Sequence, residues 1–314
     1  MHKVKSSILF LIFNRPKETQ VVFNSIRLAR PRKLYVAADG PRSNEKDYVT
    51  CSKTRDILSQ IDWDCELITL FREQNLGCGI AVSSAISWFF EQEEEGIVLE
   101  DDCAPTNDFF RFCDLMLDRY REDNRVGHIC GCNFQDGIWR GDGDYYYSNL
   151  TNVWGWASWR RVWLKYDFNM THLEVAKESG FLFKISNRRN FREFVYKNFK
   201  RTKDGHIDTW DYQYFYSNLI NGYLSIIPNN NMISNIGFGR EATHTRDVKS
   251  PYANLKVFPI KGSVNSPLMF VSNMKADDYS LGNEIPNSFE LVILDLKHLI
   301  RLLLVKVFKA NKSL

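Results

Sequence analysis

Glu100-Asp101-Asp102 is the segment with the most chemical potential: three consecutive carboxylates directly after the apolar run Ile97-Val98-Leu99. Like charges at the end of a buried strand raise one another's pKa and suffer desolvation unless a cation compensates them. A hard divalent ion such as Mg²⁺ or Mn²⁺ takes carboxylate and phosphate oxygens together, so the pattern points to a metal bridging the strand end to a diphosphate. Two plainer readings stay open, a solvated acidic turn and an N-cap cluster for a helix starting near Asp108.

Asp208-Thr209-Trp210-Asp211-Tyr212 is a second acidic and aromatic constellation. A carboxylate facing the first site across a pocket could remove a proton from an attacking hydroxyl. The aromatic helix expected from Trp210 to Ile220 needs one cap, for which Asp208 or Thr209 is suited, and Asp211 is then left over. Downstream, Ile236-Gly237-Phe238-Gly239-Arg240 is a glycine-bearing loop with a cation, followed by His244 as a candidate metal or phosphate contact. Between Tyr145 and Trp163 aromatics are dense, and aromatic faces can stack on sugar rings. Packing competes for them, and Trp154-Gly155-Trp156 is the best ligand candidate because its glycine permits close backbone approach.

The elements that must hold these residues alternate in the first 130 positions, the pattern of a parallel sheet covered by helices. Strands are expected at Ser7 to Phe13, Lys33 to Ala38, Cys65 to Phe71, the acidic run itself and Val126 to Cys130. Helices are expected at Lys17 to Ala29, Glu45 to Ile61, Ile80 to Phe90 and Asp108 to Tyr120. Ligands in such sheets bind beyond the carboxyl ends of the strands. Asn14-Arg15, Asp39-Gly40 and the acidic triplet all fall there. No GxGxxG follows the first strand and no GxxxxGK[ST] occurs, which removes two usual ways of cradling phosphate. Gly77-Cys78-Gly79 reads as a helix-entry turn.

With 41 basic and 38 acidic residues in 314, the balance gives no case for nucleic-acid binding. Seven cysteines without a CxxC pair indicate neither a disulfide framework nor a zinc site, and fit a reducing cytoplasm. No secretion signal is expected at the N-terminus, because its apolar run ends early at Asn14-Arg15. The tail from Phe289 to Phe308 is apolar but interrupted by Asp295, Lys297, Arg301 and Lys306. It reads either as a basic amphipathic helix at an anionic membrane surface or as a helix packed on protein.

In order and spacing, Val98-Leu99-Glu100-Asp101-Asp102, Asn107-Asp108-Phe109-Phe110, Trp154-Gly155-Trp156, Trp210-Asp211 and Phe238-Gly239-Arg240 with His244 resemble the metal-dependent glycosyltransferases of the GT-A fold. The similarity is greatest to the N-acetylglucosaminyltransferase I type and bacterial relatives in surface-polysaccharide synthesis, and runs from about Ile8 to His244. It implies an α/β fold with a mostly parallel Rossmann-like sheet flanked by helices, and a C-terminal helical extension. It implies that Asp102 ligates Mn²⁺ directly, with His244 as a further contact. Glu100 and Asp101 would contact ribose, sugar or metal-bound water, and Asp39 the base. Arg15, Trp156 and Arg240 would line the donor site, and Asp211 would be the general base, with Asp208 its rival because Tyr212 stands where a paired acid is common.

The expected organisation is a nucleotide-sugar half over 1–130, an acceptor half over 131–250 and an extension over 251–314. The expected function is inverting transfer of a sugar from a nucleotide-diphosphate donor, UDP-linked, to a glycan or lipid-linked oligosaccharide acceptor at the cytoplasmic membrane face. Two alternatives stand beside it: a nucleotidyltransferase that makes sugar nucleotides, and a non-enzymatic protein acting at membranes through its tail.

Overall fold

The computed structural model describes residues 2–239 and 250–285. Its first half alternates strand and helix: β1 (Ile8–Ile12), α1 (Pro16–Ala29), β2 (Lys33–Ala38), α2 (Glu45–Asp56), β3 (Glu66–Phe71), α3 (Gly77–Gln92) and β4 (Glu95–Glu100). There follow β5 (Cys103–Pro105), α4 (Asn107–Arg119), β6 (Val126–Cys130), β7 (Tyr145–Ser148), β8 (Trp156–Trp159) and the short α5 (Arg160–Trp163) and α6 (Leu173–Glu178). The remainder comprises α7 (Arg189–Lys203), α8 (Asp211–Asn221), β9 (Leu224–Pro228), β10 (Ile233–Asn235) and α9 (Met274–Glu284).

One eight-stranded sheet, in the order β3-β2-β1-β4-β8-β6-β9-β7, runs through both halves. Only β8 and β7 run against the others, so the sheet is mostly parallel and Rossmann-like, with helices on its faces. All five residues of β1 are buried, as a strand covered on both faces requires. Ile8, Leu9 and Phe10 have no exposure, each contributing about 1.5–3 kcal/mol of apolar burial. A second apolar cluster, built around Phe181, Phe191, Phe199 and Tyr216, joins α7 and α8 to Leu281 of α9.

Several boundaries differ from the periodicity for local reasons. Helix α3 starts at Gly77 rather than Ile80, because its first N–H groups find an acceptor far along the chain in Asp208. Helix α4 is capped by Thr106, whose hydroxyl accepts from the Phe109 N–H, so the acidic triplet is not its N-cap. Helix α8 starts at Asp211 with no side-chain cap, which also removes Asp208 and Thr209 as caps of their own helix. Residues 251–285 pack on the body: Ile260 and Val264 are buried in the main core, and Ser272 bridges to Tyr147. Arg240, His244 and the Phe289–Phe308 tail lie outside the described residues. Among the described residues no helix is long and apolar enough to cross a membrane.

Asp277 attaches α9 to β7. Its carboxylate accepts from the Ser148 hydroxyl and the Asn149 N–H, and it is 1% exposed. Burial, opposed by those hydrogen bonds, pushes its pKa up to about 7. Between pH ~4 and 7 the folded protein therefore holds a proton that the unfolded chain has released, so stability must fall as pH rises through that window, by up to about 4 kcal/mol. Urea unfolding of Asp277→Asn at pH 5 and pH 8 should show this slope removed; an unchanged slope would assign it to other groups.

Candidate functional site

The parallel pairing of β1 with β4 sets Leu11 opposite Glu100, so the residues following each strand emerge side by side. Arg15, at the start of α1 on Pro16, reaches across from the β1 side. Its Nη2 lies 2.7 Å from Asp101 Oδ1 and its Nη1 donates to Asp102 Oδ2 at 2.9 Å. The cation predicted by the run of acids is thus supplied in part by the protein itself. Burial opposes the Arg15 charge, but Asp101 and Asp102 overcome it and hold its pKa above the ordinary arginine value.

One guanidinium does not balance three acids. Glu100 and Asp101 both lie well above the usual carboxylate range, first from burial; Asp102, Asp101 and Asp211 push Glu100 further, while Arg15 acts against the rise at Asp101. Asp101 Oδ2 is buried and finds no hydrogen-bond partner among the described residues. The strand end is left short of positive charge.

Asp102, expected to ligate metal directly, faces elsewhere. It is 7% exposed, its Oδ1 sits 3.4 Å from the Cys103 thiol, and its Oδ2 belongs to Arg15. Strand β10 pairs with β5 and carries Gly237 over it; a Cβ at Gly237 would stand 2.0 Å from Asp102 Oδ2, so only glycine fits there. A cavity of about 260 Å³ instead presents Glu100 and Asp101, together with Arg15, Asp39, Arg72 and Cys78. It lies beyond the carboxyl ends of β1, β2 and β4. Asp39 accepts from the N–H groups of Gly40 and Leu76 and from the Asn75 amide, which anchors it at the cavity edge. Arg72, whose charge is disfavoured by burial, donates to Ser84 and has no ion pair among the described residues. Arg72 was missed in the sequence, although its place directly after the third strand was the available signal.

A second cavity, of about 570 Å³, is walled by Trp154, Phe238, Tyr252, Phe194 and Phe215, with Asn152 and Asn198 among its polar groups. Asp211 lines it. Asp211 Oδ1 accepts from Thr209 Oγ1 and from the Tyr212 N–H, and among the described residues Oδ2 makes no hydrogen bond. Its charge also acts on Glu100, which lines the other cavity, so the two acids lie within electrostatic reach of one another. Asp208 faces the first cavity instead, with Oδ2 accepting from Cys78 N–H at 3.0 Å and Oδ1 from Gly79 N–H at 2.9 Å. Each of its oxygens is thus engaged by a backbone donor of α3.

Trp156, expected at the ligand, is 0% exposed and packs between Trp210, Trp163 and Tyr214. Trp154 takes the cleft position. Strand alternation would place both indoles on one side, but Gly155 has φ +61° and breaks it. That glycine serves packing rather than ligand approach, since a Cβ would meet Ile233 at 2.5 Å.

Among the described residues no three His, Cys, Asp or Glu side chains converge as a metal cage. An ion shared with a substrate diphosphate needs only one or two carboxylates, the rest of its shell coming from phosphate and water. Glu100 and Asp101, cavity-facing, under-compensated and with an unpartnered oxygen on Asp101, fit that arrangement.

The fold is that of an α/β protein with a polar cavity at the carboxyl edge of a mostly parallel sheet. No family model and no curated protein matches the chain. Among solved structures it is similar to HddC from Yersinia pseudotuberculosis, over 50% of this chain and 78% of that one, at 9% identity and a TM-score of 0.33. It is also similar to the 4-diphosphocytidyl-2C-methyl-D-erythritol synthase of Anaerococcus prevotii, over 51% and 74%, at 12% identity and a TM-score of 0.31. These likenesses are too distant to carry function.

Removing one partner from a buried ion pair leaves charge uncompensated, a loss of about 3–5 kcal/mol. Arg15→Met should destabilise the protein by about that much in urea, and adding Asp102→Asn should recover part of it. Wild-type stability in Arg15→Met would mean that the bridge contributes nothing.

Proposed function

We propose that the protein is an inverting glycosyltransferase of the GT-A type, moving a sugar from a UDP-linked donor to a hydroxyl of a glycan or lipid-linked oligosaccharide. One observation supports this above the rest: a polar cavity lies at the parallel strand ends, and Asp211, whose charge acts on Glu100 of that cavity, lines a separate aromatic cleft. Nucleotidyl transfer remains the rival use of such a sheet edge, but it does not call for a base in a separate aromatic cleft. The distant structural likenesses do not choose between the two.

The nucleoside occupies the cavity beyond β1 and β2, bounded by Asp39 and Arg72, with its diphosphate directed toward Glu100 and Asp101. A Mn²⁺ or Mg²⁺ ion held by these two carboxylates would neutralise the departing nucleoside diphosphate, an effect of several kcal/mol. The acceptor sugar stacks on the aromatic wall formed by Trp154, Phe238 and Tyr252, which orients its hydroxyl and excludes water. Asp211, through the Oδ2 that makes no hydrogen bond among the described residues, takes the hydroxyl proton as the oxygen attacks the anomeric carbon opposite the diphosphate. A single displacement of this kind inverts the configuration, and the base contributes about 10²–10⁴-fold.

Thermal shift with a panel of nucleotide sugars tests the donor site without an acceptor, since a ligand at a hundred times Kd adds about 2.7 kcal/mol of stability. UDP-sugars should raise the melting temperature more with Mn²⁺ than without, and Asp101→Asn should remove the Mn²⁺-dependent part. Asp211→Asn should keep the donor shift and lose transfer by at least about 10²-fold. Pyrophosphate released from a nucleoside triphosphate and a sugar phosphate would instead establish the nucleotidyltransferase.

A further inference from the structure

We propose that Thr209 is a positioning residue for Asp211, held in place by Asp208, so that residues 208–211 form a strap fastening the acceptor-side carboxylate to the donor-side helix α3. The inference rests on the reading of Asp211 as the base, but its geometry stands alone. Asp208 grips the first N–H groups of α3 with both oxygens, across 130 and 129 residues of sequence. The contact is close: a Cβ at Gly77 would lie 2.8 Å from Asp208 Oδ2, and one at Gly79 would lie 2.8 Å from Asp208 Oδ1 and 2.9 Å from the Thr209 carbonyl. Gly77-Cys78-Gly79 is therefore the socket for this strap, which explains two glycines at the entry of a helix where glycine is otherwise unfavourable.

Thr209 itself is 6% exposed, and its carbonyl accepts from Gln213 Nε2 at 2.7 Å. Its hydroxyl donates to Asp211 Oδ1, beside the Tyr212 N–H at 2.8 Å. The next link is fixed too, because Tyr166 donates to the Trp210 carbonyl at 3.1 Å. Two donors on Oδ1 set the plane of the carboxylate, and among the described residues Oδ2 accepts from none.

The groups whose charge acts together with that of Asp211 are Glu100, Cys78 and Tyr166, with Asp208 beside it in the strap. All are unchanged by substitution at Thr209. The full chain labelled with [γ-¹³C]aspartate allows the Asp211 carboxyl to be observed by NMR at pH 7 without any substrate, its resonance assigned by its loss in Asp211→Asn. Thr209→Val should move that resonance away from its wild-type position, because the carboxylate loses one of its two donors on Oδ1, and Thr209→Ser should return it. Should Thr209→Val not fold, Thr209→Ala, which only removes atoms, makes the same measurement. An Asp211 carboxyl resonance at the same position in wild type and in the Val or Ala variant overturns the proposal. Wild-type sugar transfer by Asp211→Asn would sink the base assignment alone, leaving the strap intact.

Discussion

The bridge from Arg15 to Asp101 and Asp102 is the constraint around which the site is organised. It joins the end of β1 to the end of β4, two adjacent parallel strands whose register brings their following residues together. Coulomb attraction at about 3 Å in a partly desolvated setting outweighs the burial of one guanidinium, but a single positive charge cannot offset Glu100 as well. The remainder appears as raised carboxyl pKa values at Glu100 and Asp101. A single guanidinium thus holds the three acids together without fully neutralising them.

The second half of the molecule closes that site from three directions. Strand β10 lays Gly237 against Asp102. Strand β8, antiparallel to β4, brings the Trp154-Gly155 turn alongside it. The strap before α8 reaches back to α3. The aromatic packing of Trp156, Trp163, Trp210 and Tyr214 fixes β8, α5 and α8 relative to one another. The same residue types therefore divide between building the site and lining it. Trp156 supports from within; Trp154 meets the cleft.

Much of the first half was legible in the sequence, because its strands are local apolar runs ended by turn residues and its helices carry a clear period. The parallel class followed from that alternation, and the sheet-edge rule then located Arg15, Asp39 and the acidic triplet at one edge. The roles within the triplet were not legible. Asp101 and Asp102 are neighbours in sequence, yet one borders a cavity and the other lies beneath a loop from residue 237. Likewise Asp208 and Asp211 are three residues apart and serve different cavities, since Asp208 is captured by α3 from 130 residues away.

Sequence alone thus determined which residue types could do chemistry, the parallel sheet that carries them and the edge where they gather. Tertiary structure alone decided that a protein cation answers two of the three acids, that Asp211 rather than Asp208 faces the aromatic cleft, and that Trp154 rather than Trp156 lines it. The physical reason is range. Strand and helix patterns express interactions between near neighbours, whereas the orientation of a carboxylate or an indole is set by hydrogen-bond donors, cations and packed atoms that the fold brings from distant parts of the chain.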